Sequence, residues 1–265
     1  MSRAHAAHRV SQPAEPPAYR TPGEETRVPP GRHRGLGRVL IGLGLCVLVL
    51  LLGELAKAGP VARWDLRADE HIAAHDRSAA LTTLAKLASD IGKPETVGIG
   101  LLILVPLVLL LMRRRLDAVK VFCMVAGAFA LAEVGKKLIA EHRPPASLQL
   151  VAADSGASFP SGHAATAAVL AVALVVIAAT FAWRTAALLL VGLYVLAVAA
   201  SRVYLGDHYP LDVLGGVLCA LAAAFVVTGL AALPVLQPWL RRLEPGAKLT
   251  SQEDPRSPAG HHELR

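Results

Sequence analysis

The stretch Ser158–Trp183, SFPSGHAATAAVLAVALVVIAATFAW, changes character at His163. Up to that residue it is a short polar segment, Pro160-Ser161-Gly162-His163. From Ala164 to Trp183 it carries no charge and consists almost entirely of Ala, Val, Leu and Ile. A helix that crosses a bilayer needs roughly 20 mostly apolar residues. The run therefore reads as a membrane span, and a histidine stands at its mouth.

Five further segments read the same way. Together the six run over Leu36–Leu55, Val97–Met112, Ala118–Ile139, Ala164–Trp183, Thr185–Ala200 and Leu211–Leu233. The second and fifth are short but carry no interior charge. Of the 265 residues 54% are hydrophobic, and the mean hydropathy is +0.49. That excess lies in blocks, which favours a polytopic membrane protein over a soluble domain with a large core. The fold expected is all-α: a six-helix membrane bundle with disordered polar tails. No internal repeat is visible.

Outside the blocks the composition changes. Residues 1–34 hold Pro13, Pro16, Pro17, Pro22, Pro29 and Pro30 among charged and small residues, and residues 241–265 return to that composition. Both read as disordered tails, leaving a membrane domain over 35–240. Within it, residues 60–95 are expected as an extracytoplasmic helical segment; Trp64–Ile91 has Leu and Ala at helical spacing and mixed polarity, as in helices lying at a membrane surface. His71 and His75 fall on one face of it. With no third ligand in sight they read as solvated interfacial residues rather than a metal site. No cleavable leader is expected, because the first apolar block starts late and lacks a convincing cleavage site.

The formal net charge of +7 decides orientation more than partner class. Arg32, Arg34 and Arg38 precede the first span, Arg113–Arg115 fill the turn after the second, Arg184 sits between the fourth and fifth, and Arg241 and Arg242 follow the sixth. With six spans all four places fall on one side, which the positive-inside rule assigns to the cytoplasm together with both termini. Beside apolar blocks such charge reports topology and anionic headgroups rather than nucleic acid. Cys46, Cys123 and Cys219 lie inside apolar blocks and read as free thiols, with no zinc-like spacing.

The opposite face receives three polar clusters. Ionisable groups at membrane depth are costly and are functional candidates for that reason. The first cluster is KKLIAEHRPP, Lys136–Pro145: Lys136 and Arg143 are seven apart and share a face if the helix persists, and Pro144 and Pro145 end it. Alone, these are the ordinary snorkelling anchors of a helix end. The second is the opening stretch. Ser161 is a suitable N-cap, and the free N–H groups of Ser161, Gly162 and His163 would form an anion site that Gly162 lets a ligand approach closely. The third is SRVYLGDHYPLD, Ser201–Asp212. Pro210 suits the first turn of the last span, so His208 lies just outside it, with Asp212 in reach of its ring. A carboxylate partner fixes the imidazole tautomer and leaves the other nitrogen free. Each cluster has a bland reading by itself. Together, on one face, they supply Lys136, Arg143, Arg202, an anion-cradling helix start, two histidines and a carboxylate. That inventory fits phosphoryl transfer.

The three motifs, Lys136…Arg143-Pro144, Pro160-Ser161-Gly162-His163 and Ser201-Arg202…His208…Asp212, resemble in order and spacing the signature of the type 2 phosphatidic acid phosphatases. The resemblance covers roughly residues 36–236. It implies that His208 is the nucleophile that forms a phosphohistidine, that Asp212 orients it, and that His163 is the general acid. It implies that Lys136, Arg143 and Arg202, with Ser161 and the Gly162 amide, hold the phosphate. Members similar to this need no metal or cofactor. Lys137 is a competitor to Lys136, and Glu133, one turn earlier, pairs with either.

The expected activity is that of an integral membrane lipid phosphatase in the cell membrane, with its site extracytoplasmic. Its partners would be the bilayer and a lipid phosphate such as undecaprenyl diphosphate, phosphatidic acid or phosphatidylglycerol phosphate, with no nucleic acid. A phosphotransferase passing the group to another lipid or sugar uses the same residues. A binding protein would not need both a nucleophile and an acid, and the spans argue against the soluble vanadium haloperoxidases, which share a similar site.

Overall fold

The computed structural model describes residues 30–152, 156–178 and 184–243. Among them every regular element is helical. The order is α1 (Pro30–Ala56), α2 (Gly59–His75), α3 (Ala79–Asp90), two π-helical segments (Pro94–Gly98 and Gly100–Leu104) leading into α4 (Val105–Leu111), and α5 (Arg115–Ile139). A 3₁₀ turn (Ala146–Leu148), α6 (Gly162–Ala178), α7 (Arg184–Tyr204), α8 (Pro210–Ala231) and the short α9 (Gln237–Arg241) follow.

Helix α8 is the centre of the bundle and packs against α1, α5 and α6. The core is built from small residues: Ala118, Val121, Met124, Val125 and Ala128 of α5 meet Ala168, Val169 and Ala173 of α6 and Ala220 and Ala223 of α8. Small side chains let membrane helices approach closely where there is no hydrophobic drive between them. Large apolar side chains point outward instead, among them Leu40, Leu51, Leu189, Leu193 and Leu196. In water so much exposed leucine would be a liability, whereas in hydrocarbon it is the solvated face.

Four helices are long and apolar enough to cross a bilayer, His33–Ala56, Arg115–Ile139, Thr185–Tyr204 and Pro210–Ala231. They correspond to the first, third, fifth and sixth expected spans. A fifth arises if the bent pair Ala79–Gly98 and Gly100–Leu111, which meet at 50°, makes one broken span. The expected second span, 97–112, is the later arm of that pair. Pro106 cannot donate to the residue one turn back, and the change from π to α register falls beside it. The expected fourth span opens as α6, 17 residues in its described part; residues 179–183 lie outside the described residues. The surface segment expected over 60–95 forms α2 and α3, of which α3 packs against α7. Of the expected tails, 30–34 already belongs to α1 and 241–243 continues α9 into a turn; 1–29 and 244–265 lie outside the described residues.

The arginines gather at one end of the bundle. Arg34, Arg38 and Arg241 line one depression, and Arg113–Arg115 line another with Leu243. The other end carries the loops of interest. Arg77, between α2 and α3, donates to the carbonyls of Leu148 and Tyr204 at 2.5 and 3.1 Å. Leu150 N donates to Leu205 O at 2.9 Å. Gly206 permits that clasp: its φ is +72°, and a Cβ there would stand 2.1 Å from Leu148 O. The segment after α5 is thereby strapped over the connection between α7 and α8.

Candidate active site

Helix α5 stops at Ile139 because Ala140 takes a left-handed conformation, φ 51°, and returns its N–H to Lys136 O. The helix therefore does not persist to Arg143, as the seven-residue spacing had suggested. Pro144 and Pro145 are not what ends it; they follow in the loop. Lys136 and Arg143 still face one cavity, because the loop turns back across the bundle. Phe159 fixes the return. Its ring is fully buried, and a Cβ at Gly215 of α8 would lie 2.6 Å from it. Beside it, Ser158 N donates to Glu141 O at 2.8 Å and Ser161 N to Asp212 O at 2.9 Å. Ser161 caps α6, with its hydroxyl accepting from Ala164 N at 3.4 Å. Gly162 and His163 form the first turn, and His163 is buried.

Helix α8 begins at Pro210, and Asp212 Oδ2 accepts from Tyr209 N at 2.9 Å. The same oxygen accepts from the hydroxyl of Ser158 and lies 3.2 Å from His208 Nδ1. On the other side of the ring, His208 Nε2 lies 3.3 Å from Arg143 Nη1. A guanidinium has only protons to offer, so Nε2 presents its lone pair. A carboxylate only accepts, so Nδ1 carries the hydrogen. Both contacts select the same neutral tautomer. Burial, the largest influence, pushes the His208 pKa below the ordinary imidazole value; the hydrogen bond and charge of Asp212 oppose this, while Arg143 adds to it.

His208 also lines a cavity of about 710 Å³. Its polar end is lined by Lys136, Arg143, Gly162, His163 and His208, and its apolar wall by Ile99, Leu102 and Phe129. The π-helical turns supply Ile99 and Leu102, so the irregular helix shapes the cavity. Lys137 also reaches it, while Lys136 Nζ lies 3.6 Å from Glu133 Oε1. Five of the eight sequence-predicted residues thus line one space. The other three stand behind the wall: Asp212 and Ser161 are fully buried, and Arg202 is 3% exposed. Arg202 donates to Ser89 Oγ at 2.5 Å and to the carboxylate of Asp207.

Asp207 is the residue that the sequence reading missed. Its carboxylate takes both Arg202 and Arg143, the latter at 2.7 Å, and its backbone carbonyl takes Arg143 at 3.0 Å. Its adjacency to His208, with Arg202 one turn earlier, was the available signal. Ser158 was missed too, and only the folded loop brings it to Asp212. His71 and His75 are exposed with rings stacked at 4.6 Å, away from this centre. Among the described residues no group of three or more His, Cys, Asp or Glu is arranged to hold a metal.

Comparison with known proteins places these observations. The PAP2 superfamily model matches residues 117–233, the span that contains all three motifs. Among solved structures, the chain is similar to the transmembrane PAP2-type phosphatidylglycerolphosphate phosphatase from Bacillus subtilis. The identity is 25% and the TM-score 0.62, over 71% of this chain and 94% of that one. Comparison with curated proteins finds no match.

Proposed function

The chain belongs to the PAP2 superfamily, and from that premise we propose that it is a membrane lipid phosphatase acting through a phosphohistidine at His208. The observation that carries the reading is the orientation of one ring. His208 Nδ1 is held on Asp212 at 3.2 Å, and Nε2 meets Arg143 at 3.3 Å on the wall of a cavity that also holds Lys136, Gly162 and His163.

The chemistry follows from those positions. The phosphoryl oxygens sit among Lys136, Arg143 and the N–H groups opening α6, which neutralise charge that builds up at the transition state. His208 Nε2 attacks phosphorus, and the bond to the leaving oxygen breaks as His163 gives that oxygen a proton. Water then attacks the phosphohistidine and gives its proton to His163; the N–P bond breaks and phosphate leaves. Asp212 stabilises the cationic ring during the first step, while Arg202 acts through Asp207, which holds Arg143 in place. Ser161 shapes the start of α6 rather than touching the phosphate.

The substrate is a lipid mono- or diphosphate, whose tail follows the apolar wall at Ile99, Leu102 and Phe129 while its headgroup meets the cations. Undecaprenyl diphosphate, phosphatidic acid and phosphatidylglycerol phosphate all have that form. The site faces outward from the cell membrane and both termini lie in the cytoplasm. The gathering of Arg34, Arg38, Arg113–Arg115 and Arg241 at the far end of the bundle supports that orientation. The test is release of inorganic phosphate by purified protein in detergent from a panel of those three lipids. Turnover of at least one supports the reading. Turnover of none by a folded protein rejects it.

A further inference from the structure

Behind the His208–Asp212 pair, on the side away from the phosphate cavity, lies a second group of buried acids. Glu141 is 8% exposed, and Asp65 and Asp69 of α2 are each 1% exposed. Asp65 and Glu141 line a separate cavity of about 620 Å³, together with Lys57, Arg63, His142 and Tyr209. Asp65 Oδ1 accepts from Leu211 N at 3.4 Å, which ties the group to the first turn of α8. The mechanism proposed above uses none of these carboxyls.

The two oxygens of Asp212 are treated unequally. Oδ2 faces Ser158 Oγ, Tyr209 N and His208 Nδ1, whereas Oδ1 is buried and takes no hydrogen bond from any described residue. Glu141 reaches Asp212 with its own side chain. Its Oε2 is likewise buried and without a partner among the described residues. Two carboxylates cannot satisfy each other, since both only accept. One proton between them satisfies both. A buried polar atom left unpaired costs roughly as much as a lost hydrogen bond or more, so a single proton removes two such penalties. The three donors on Oδ2 favour ionised Asp212, which leaves the proton on Glu141.

We propose that Glu141 is a positioning residue, whose protonated carboxyl donates to Asp212 and so holds Asp212 in register with His208. This rests on the phosphatase reading for its kinetic consequence but not for its structural one. The groups that face Glu141 are consistent with it. Asp212 from α8 and Asp65 from α2 repel its charged form, while Lys57, beyond α1, draws the other way and is engaged with Glu54 at 3.0 Å. Tyr209, before α8, is itself raised to about 12 by burial first and then by these same acids. Burial first, then the charge and hydrogen bond of Asp212, raise Glu141 to about 9. The proton is therefore present at neutral pH and lost on the alkaline side.

The experiment compares wild type, Glu141→Gln and Glu141→Ala in detergent, by infrared titration of the carboxyl groups and by kcat and KM across pH. The glutamine keeps a donor but cannot ionise. Beside the band expected from protonated Asp69, wild type should show a further protonated-carboxyl band at pH 7 that disappears near pH 9 and is absent from Glu141→Gln. Its kcat should fall over the same interval. Glu141→Gln should keep neutral-pH kcat within about threefold and lose that alkaline fall. Glu141→Ala should lose tenfold or more in kcat with KM nearly unchanged. An identical band in wild type and Glu141→Gln overturns the proposal, as does an unchanged alkaline fall in the glutamine variant. The infrared result stands whether or not the protein turns over any lipid, so failure of the phosphatase reading is seen separately.

Discussion

Arg143 Nη1 stands 3.3 Å from His208 Nε2 and 2.7 Å from Asp207 Oδ2. The cation proposed to bind the phosphate therefore also touches the nitrogen proposed to attack it, and it is held in place by a buried acid. Arg143 and His208 come from different loops, so their meeting depends on the strap formed by Arg77, Leu148 and Gly206.

Asp207 is expected to matter most for stability. Its carboxylate carries Arg143 and Arg202, two guanidiniums with side chains 8% and 3% exposed. Asp207→Ala leaves both without it, and breaking a buried pair costs about 3–5 kcal/mol. The variant should melt well below wild type in detergent, with Asp207→Asn recovering part of the loss. A melting point equal to that of wild type for Asp207→Ala would contradict this.

The acid limb of activity should lie below the ordinary imidazole value of 6.5. Burial lowers the pKa of His208, so its attacking lone pair persists to lower pH than in a free imidazole. Activity should be lost as pH falls through that lowered value. A kcat/KM profile measured from pH 4 to 8 reads this directly, and an acid limb centred above 6.5 would count against it.

Stability itself should decline with rising pH. Burial is the largest cause lifting Asp69 from 3.8 to about 8 and Glu141 from 4.5 to about 9. Neighbouring acids add to both shifts. The folded state thus holds protons that the unfolded chain has released. The stabilisation is full below the unfolded values, near pH 4, and is lost as pH rises through about 8 to 9. The melting temperature should fall from pH 5 to 9, and Asp69→Asn should flatten that slope.

Much of the site was legible in the chain. His163 and His208 stand just where apolar runs begin, and Gly162 and Pro210 mark helix starts with local chemistry of their own. What was not legible depends on chain reversal. The spacing of Lys136 and Arg143 implied one helix face, but Ala140 breaks the helix between them and the loop restores their meeting by another route. Ser158 gains its meaning from His208, 50 residues away, and Asp207 from Arg143, 64 residues away, as well as from nearby Arg202; the pairing of Glu141 with Asp212 proposed above is equally remote in the chain. The count of spans was obscured similarly. Hydropathy finds apolar runs, but it does not register the 50° bend that joins Ala79–Gly98 to Gly100–Leu111.

The most direct measurement is to quench the enzyme in alkali during turnover of a labelled lipid phosphate and locate the label by mass spectrometry. The account predicts an alkali-stable, acid-labile phosphoryl group on His208, absent from His208→Ala, whose turnover falls about a thousandfold or more. Near-normal turnover by His208→Ala, or a phosphoryl group on another residue, would contradict it.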